Sequence, residues 1–271
     1  MLKDITLGQY FPGNTVIHRL DPRTKLLLTV VYIVALFLAK WFVSYGVMLA
    51  FLVTVVAVSR IRLRALFKGL KPLLIIIIFT AVINLFYSSG EVLVEFWIFK
   101  ITKEGIINAF FLVLRIMMLV MGTFLLTYTT SPIALTDGLE SLLSPLKKIR
   151  FPVHELAMMM SIALRFIPTL IEETDKIISA QKARGADFES GGLIKKARAL
   201  VPVLVPLFVS AFKRADDLAV AMECRCYRGG EGRTKLKVLK FGTPDVLCAL
   251  LAAIFLAGIL LCNIFLPYIT I

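Results

Sequence analysis

The sequence has too little polar surface for a protein that folds in water. Hydrophobic residues make up 59% of its 271 residues, charged residues only 18%, and the mean hydropathy is +0.87. A surface that faces water needs far more polar area, so an ordinary soluble domain is excluded. The composition predicts an integral membrane protein whose formal charge of +13 is confined to the connections between spans. Nucleic-acid binding is not expected.

Residues for catalysis and metal binding are also scarce. The chain has four cysteines and two histidines, and no other cysteine or histidine lies close to the Cys224-x-Cys226 pair, which argues against a metal site. It has no Gly-x-x-x-x-Gly-Lys-Ser/Thr phosphate loop, because Gly229-Gly230-Glu231-Gly232 lacks the lysine and the hydroxyl. No constellation of acid, base and nucleophile is apparent. We therefore expect a chain that is not an enzyme and carries no cofactor.

Long apolar runs predict the membrane spans. The first 25 residues have no continuous apolar core, so a cleaved signal sequence is not expected. The run Leu26–Ser59 is long enough for two short helices that meet near Lys40 and Trp41. Three later runs, over residues 72–90, 106–130 and 246–271, bring the total to five spans. The pairs Asp21-Pro22 and Thr243-Pro244 are typical helix starts.

Charges between the runs predict the orientation. A cluster of five basic residues without an acid follows the second span and marks the cytoplasmic side: Arg60, Arg62, Arg64, Lys68 and Lys71. The loop over residues 91–104 has no positive excess and should lie outside. Lys147, Lys148 and Arg150 then mark the return to the cytoplasm. The N-terminus is predicted inside and the C-terminus outside.

Between the fourth and fifth spans the apolar pattern is interrupted by charge. Apolar residues recur at helical spacing, and polar residues including Glu173 occupy the other face, which predicts interfacial helices. Three prolines favour short elements over further spans, because proline bends or ends a helix: Pro168, Pro202 and Pro206. A sixth span over Glu155–Ile171 is the alternative, and Arg165 inside it argues against it.

Two similar motifs close these amphipathic stretches. Ala183-Arg184-Gly185 and Cys224-Arg225-Cys226 lie forty-one residues apart, and each places an arginine between small residues. Such an arginine can extend its guanidinium beyond the helix, where the fork suits a carboxylate or a buried polar groove. A single motif of this kind is more often solvated or in contact with lipid phosphate. The repetition favours two docking sites.

Four segments carry a resemblance to a known family. They are His18–Leu26, Leu164–Pro168, Gln181–Gly185 and Ala221–Gly229, and they resemble the transmembrane T component of energy-coupling factor (ECF) vitamin and metal transporters. The resemblance covers essentially the whole chain. The second motif departs from the family pattern in one respect, since cysteines flank Arg225 where alanine or serine and a small residue such as glycine are usual.

The resemblance implies a fold and partners. The expected fold is an all-α integral membrane protein of about five transmembrane helices, with a cytoplasmic layer of coupling helices inserted before the last span. The expected regions are 1–151 for the first four spans, 152–242 for coupling and 243–271 for the last span. Arg184 and Arg225 would each dock into one of two ATPase subunits, with Arg165, Glu223 and Arg228 as supporting contacts. A separate S component in the prokaryotic cytoplasmic membrane would bind and select the substrate.

A secondary transporter that works without ATPase partners is the alternative function. It would need ionisable or polar groups that converge inside the membrane, and few are available: Asn84, Arg115, Glu155 and Arg165. Arg115 lies inside the fourth span, where it either has a functional role or only snorkels or bonds a neighbouring carbonyl.

Overall fold

The computed structural model describes residues 10–39, 42–87, 92–96, 99–188, 192–229 and 238–265. Lys40, Trp41, Glu91 and Gly230 to Gly232, which entered the sequence predictions, lie outside these residues. The described helices are, in chain order, α1 Val16–Arg19, α2 Pro22–Leu38, α3 Phe42–Ser59, α4 Leu63–Leu70, α5 Leu74–Tyr87, α6 Lys103–Thr129, α7 Pro132–Leu143, α8 Val153–Ala183, α9 Leu193–Cys224 and α10 Thr243–Phe265.

The chain divides into two compact units. The first, here called the bundle unit, comprises residues 8–141 and 239–271, of which those given above are described. The second, here called the two-helix unit, contains α8 and α9 within residues 142–238. The functional division into regions 1–151, 152–242 and 243–271 stays a prediction.

Five of the described helices are long and apolar enough to cross a membrane, which confirms the class of an all-α membrane protein. They are Phe42–Ser59, Leu63–Tyr87, Lys103–Thr129, Val153–Ala183 and Thr243–Ile264, where Leu63–Tyr87 combines α4, α5 and the single 3-10 turn Lys71–Leu73 between them. The number agrees with the sequence prediction, but the set differs. The helix α2, which the sequence predicts as a span, is not among the five. It has 17 residues, one fewer than α3, which is the shortest of the five. Conversely, α8 is among the five, although Arg165 argued against a span over its stretch Glu155–Ile171. Its mean hydropathy of 1.3 is the lowest of the five, since the others have 2.2 to 2.6.

The first two helices form as the sequence predicts. Asp21 is the N-cap of α2, and its carboxylate accepts a hydrogen bond from the backbone N–H of Arg23 at 2.9 Å. Pro22 occupies the first helical position, where its missing N–H costs nothing. The helix ends at Leu38 and the next begins at Phe42, so the apolar run Leu26–Ser59 is a helical hairpin.

A small β-hairpin was not predicted. Strands β1 Val92–Phe96 and β2 Phe99–Thr102 pair antiparallel, with Glu95 opposite Lys100 and Phe96 opposite Phe99. β-branched and aromatic residues dominate both strands, and these favour extended backbone. Thr102 then caps α6, because its hydroxyl accepts the N–H of Gly105 at 3.1 Å.

The prediction that prolines would divide the coupling region into short elements is wrong. Both long helices continue through their prolines, α8 through Pro168 and α9 through Pro202 and Pro206. A proline removes one backbone donor, and a packed neighbour is able to replace it. Pro206 has no N–H for the carbonyl of Pro202, and the side-chain amide of Gln181 on α8 donates to that carbonyl at 3.3 Å.

A buried polar cluster ties three helix ends together at one end of the bundle unit. The Asp245 carboxylate accepts the backbone N–H groups of Asp21 and Gly242, each at 2.8 Å. The Lys25 ammonium donates to the carbonyls of His18 at 3.1 Å and Thr129 at 3.0 Å. The starts of α2 and α10 therefore meet the end of α6, which fixes the up-and-down order of the helices.

Arg115 has a structural role in the bundle unit. Its Nε donates to the hydroxyl of Tyr45 at 2.7 Å, and its Nη2 lies 3.4 Å from the carbonyl oxygen of Ala39. Ala39 is the C-cap of α2, where carbonyls lack a donor within their own helix. Of the roles considered from the sequence, the bond to a neighbouring carbonyl is the one observed.

The core of the bundle unit depends on a close approach of α2 and α6. The Tyr32 side chain is 7% exposed, and its hydroxyl donates to the carbonyl of Met118 at 3.1 Å. Its ring lies over Gly122, where an added Cβ would overlap the ring atoms. Glycine at 122 therefore permits this contact.

We expect Gly122→Ala to lower the free energy of unfolding by about 1–3 kcal/mol, because the new methyl group forces the Tyr32 ring out of its site. Gly46→Ala on α3 is the matched control, since a Cβ there meets no atom within 4 Å. Thermal unfolding of the purified chain in detergent measures both variants. Equal melting temperatures for the two variants would contradict the packing described here.

Candidate functional site

The two helices of the two-helix unit contact each other through polar side chains. Glu173 on α8 accepts hydrogen bonds from the hydroxyl of Ser210 and from the guanidinium of Arg214, the latter at 2.9 Å. Gln181 contacts Pro202 further along. The later residue of α8 contacts the earlier residue of α9, so the two helices are antiparallel.

The first arginine motif forms the end of α8. Ala183 is the last helical residue and Arg184 is the C-cap. The N–H of Gly185 donates to the carbonyl of Lys182 at 3.0 Å, and the N–H of Ala186 donates to that of Gln181 at 3.0 Å. This pair of bonds is a Schellman motif, and Gly185 supplies the left-handed residue with a φ of +88°.

The second motif ends α9 with the same backbone geometry. Cys224 is the last helical residue and Arg225 is the C-cap. The N–H of Cys226 donates to the carbonyl of Glu223 at 2.8 Å, and the N–H of Tyr227 donates to that of Met222 at 3.0 Å. Cys226 takes the left-handed position with a φ of +55°. The unusual cysteines therefore leave the cap unchanged, at a conformational cost of about 1–2 kcal/mol.

Both guanidinium groups are available to a partner. Arg184 and Arg225 are exposed, as are the small residues on either side of each. Among the residues that the structure describes, neither arginine side chain has an ion pair or a hydrogen bond. The small side chains beside each arginine do not obstruct its guanidinium, so the N–H donors are able to enter a groove on a partner.

The supporting residues named from the sequence are placed differently. Glu223 and Arg228 are exposed and lie within three residues of Arg225. Arg165 is exposed on α8, but about 28 Å of helix separates it from Arg184. The structure thus does not bring Arg165 to the first motif.

The polar helix contact lies between the two motifs. Glu173 precedes Arg184 by eleven residues, and its partners Arg214 and Ser210 precede Arg225 by eleven and fifteen. Each motif arginine therefore lies about 16–22 Å of helix from the contact, and the two lie on opposite sides of it.

Sequence reasoning missed this contact. It placed Glu173 on the polar face of its helix and gave it no partner on the second helix. In the structure Glu173 bonds Arg214 of α9. Their equal offsets from the two arginines were a signal that could have paired them.

The polar residues considered for a secondary transporter do not converge within the bundle unit. The side-chain amide of Asn84 donates to the carbonyl of Thr80 in its own helix at 3.2 Å. Arg115 bonds Tyr45 and the end of α2. In the two-helix unit, Glu155 and Arg165 are exposed. Among the described residues, no group of three or more histidine, cysteine, aspartate or glutamate residues is arranged to hold a metal ion.

The apolar helices and the paired helix ends define a polytopic membrane protein with a helical unit that presents two exposed arginines. Comparison with known proteins gives the family. The model of the cobalt transport protein family CbiQ matches residues 13–236. The energy-coupling factor transporter transmembrane protein EcfT of Thermosediminibacter oceani is 56% identical over 259 residues, 96% of each chain.

Further relatives agree. The proteins of the same name from Clostridium kluyveri and Bacillus subtilis are 55% and 48% identical, over 94% and 96% of this chain and 95% and 98% of theirs. The chain belongs to the family of energy-coupling factor transporter transmembrane proteins. It is the transmembrane component of an ECF transporter, as the resemblance in its motifs predicts.

The left-handed residues of the two caps should respond oppositely to substitution. We expect Gly185→Ala to lower the free energy of unfolding by about 1 kcal/mol, because alanine resists a positive φ. Cys226→Gly should raise it by roughly 0.5–1 kcal/mol for the converse reason. Cys226→Ala keeps the strain and is the neutral control. Thermal unfolding compares the three, and a stabilised Gly185→Ala variant would refute the shared cap geometry.

Proposed function

We propose that this chain couples ATP hydrolysis by two partner subunits to the movement of a substrate-binding S component in the membrane. In this proposal Arg184 enters a groove on one ATPase subunit and Arg225 enters the equivalent groove on the other. One observation carries the proposal: two exposed arginines cap two helices with the same geometry, on opposite sides of one helix contact.

The chemistry of the two helix ends supports docking. Each arginine stands at a helix C-terminus, where unpaired carbonyls give a partial negative charge that favours a cation. Small neighbours allow the wall of a groove to approach the guanidinium closely. A carboxylate or carbonyl in that groove would accept two hydrogen bonds from the guanidinium fork, and exclusion of water would strengthen them.

The charge distribution supports a cytoplasmic position for the docking partners. In the bundle unit, Arg60, Arg62 and Arg64 follow the end of α3, at the same end as the starts of α2 and α10. Positive residues beside spans favour the cytoplasmic side. This supports an inside N-terminus and an outside C-terminus. The lower mean hydropathy of α8 supports an interfacial, cytoplasmic place for the two-helix unit.

A mechanism follows from the helix contact. When the ATPase subunits close on ATP, each would draw one motif arginine with it. Because α8 and α9 are joined at Glu173 and Arg214, displacement of either helix end changes the crossing of the pair. That change would be passed to the S component, which selects the vitamin or other micronutrient.

Removal of the two guanidinium groups tests the docking. We expect Arg184→Ala and Arg225→Ala each to weaken the ATPase contact by about 2–5 kcal/mol, and the double variant to abolish ATP-driven uptake. Uptake in proteoliposomes and co-purification of the ATPase subunits are the measurements.

Lys213→Ala is the matched control, because Lys213 is also an exposed cation on α9 but lies about 18 Å of helix before Arg225, in the middle of the helix pair. It should leave both readouts unchanged. Normal uptake together with normal ATPase assembly in the double variant would overturn the docking role.

A further inference from the structure

A basic recess lies at one end of the bundle unit, outside the paired motifs. Its volume is about 1240 Å³, and it opens between the segment from Phe11 to Val16 and the turn that joins α3 to α4. Its described lining residues include four basic side chains and no acidic one: Arg60, Arg62, Arg64 and Lys68. All four are exposed. The recess therefore offers concentrated positive charge without an internal counter-ion.

The turn between α3 and α4 holds the arginines in place. The N–H of Arg60 donates to the carbonyl of Ala57 at 3.3 Å, and Arg60 has a left-handed φ of +55°. The next residue, Ile61, belongs to the core and is 9% exposed. A non-glycine residue in this conformation costs free energy and persists where the surroundings fix it. Burial of Ile61 thus anchors the turn while Arg60 and Arg62 project from it.

The opposite wall is ordered and uncharged. The Nε2 of His18 donates to the carbonyl of Phe11 at 3.2 Å, and the hydroxyl of Thr15 donates to Nδ1 at 2.6 Å. Burial lowers the pKa of His18, which disfavours a positive charge on its ring. The backbone N–H of Phe11 donates to the carbonyl of Tyr128 at 3.0 Å. This wall is thus attached to the bundle and shapes the recess without adding charge.

The recess borders an apolar surface. Leu63 and Phe67 are neighbours on one face of α4 and are 60% and 56% exposed. Arg64 and Lys68 are the next residues along the same helix. An amphipathic helix of this kind, continuous with a membrane-length helix, belongs at the polar boundary of a bilayer. Cations and exposed apolar side chains therefore meet where a phospholipid presents its phosphate above its acyl chains.

We propose that this recess binds the headgroup of an anionic phospholipid, with Arg60, Arg62 and Arg64 contacting the phosphate and the acyl chains lying beside Leu63 and Phe67. An acidic protein surface would match the charge but not the adjoining apolar face. The proposal is independent of the coupling role of the paired motifs.

The test measures lipid preference of the full-length chain, purified in detergent with any subunits that accompany it. Native mass spectrometry compares bound phosphatidylglycerol with bound phosphatidylcholine. The test variant is the triple Arg60→Gln, Arg62→Gln, Arg64→Gln. The matched control is the triple Lys147→Gln, Lys148→Gln, Arg150→Gln, whose targets are also exposed. Each triple removes three positive charges from the formal +13.

Each basic side chain near an anionic surface contributes about fivefold in affinity, so the preference for phosphatidylglycerol should fall at least tenfold in the test triple. It should change less than twofold in the control. The triple Arg→Lys variant at the same positions should retain most of the preference. Equal losses in the two glutamine triples would show diffuse attraction by net charge and would overturn the site.

Two further outcomes would also overturn the proposal. Displacement of phosphatidylglycerol by inorganic phosphate at equal concentration would indicate a free-anion site. An unchanged lipid preference with loss of co-purified subunits from the test triple would indicate a protein contact. If the test triple unfolds in detergent, Arg62→Gln against Lys148→Gln gives the same comparison, with about a fivefold difference expected.

Discussion

The contact between Glu173 on α8 and Arg214 on α9 determines where both motif arginines lie. The side chains are 23% and 40% exposed, and an ion pair so accessible to solvent contributes little to stability. Its importance is geometric. Together with Ser210, the contact sets the register of the antiparallel pair, and the two helices then carry Arg184 and Arg225 to opposite sides of it. A shifted register would change the distance between the two arginines.

Backbone carbonyls without a helical donor explain several other polar side chains. Gln181 donates to the carbonyl that Pro206 leaves free, and Arg115 donates to the end of α2. Lys25, at the start of α2, donates to the carbonyls of His18 and Thr129 at the ends of two other helices. Where water is scarce, an unpaired carbonyl costs several kcal/mol, so a cation or amide at such a site has a structural function. Arg115 differs in this respect from the motif arginines, because its guanidinium bonds Tyr45 and Ala39, whereas Arg184 and Arg225 are exposed.

Much of the fold was predictable because it depends on local sequence. Apolar length predicts the helical hairpin, and Asp21-Pro22 predicts where α2 begins. The paired motifs predict equivalent sites, and the structure shows that Cys226 adopts the same left-handed position as Gly185. The rest depends on contacts between distant residues. The carbonyl that Pro206 leaves free receives its donor, Gln181, from another helix, and the partnership of Glu173 with Arg214 requires the antiparallel register. Neither is visible in a window of sequence.

A charge swap at the helix contact tests the central claim most directly. Glu173→Arg and Arg214→Glu each place like charges together, whereas the double variant restores an opposite pair with its direction reversed. ATP-driven uptake in proteoliposomes, measured with the partner ATPases, is the readout. If the contact sets the positions of Arg184 and Arg225, each single variant lowers uptake and the double variant recovers most of it. Full uptake in the single variants, or a double variant no better than either, would contradict the account.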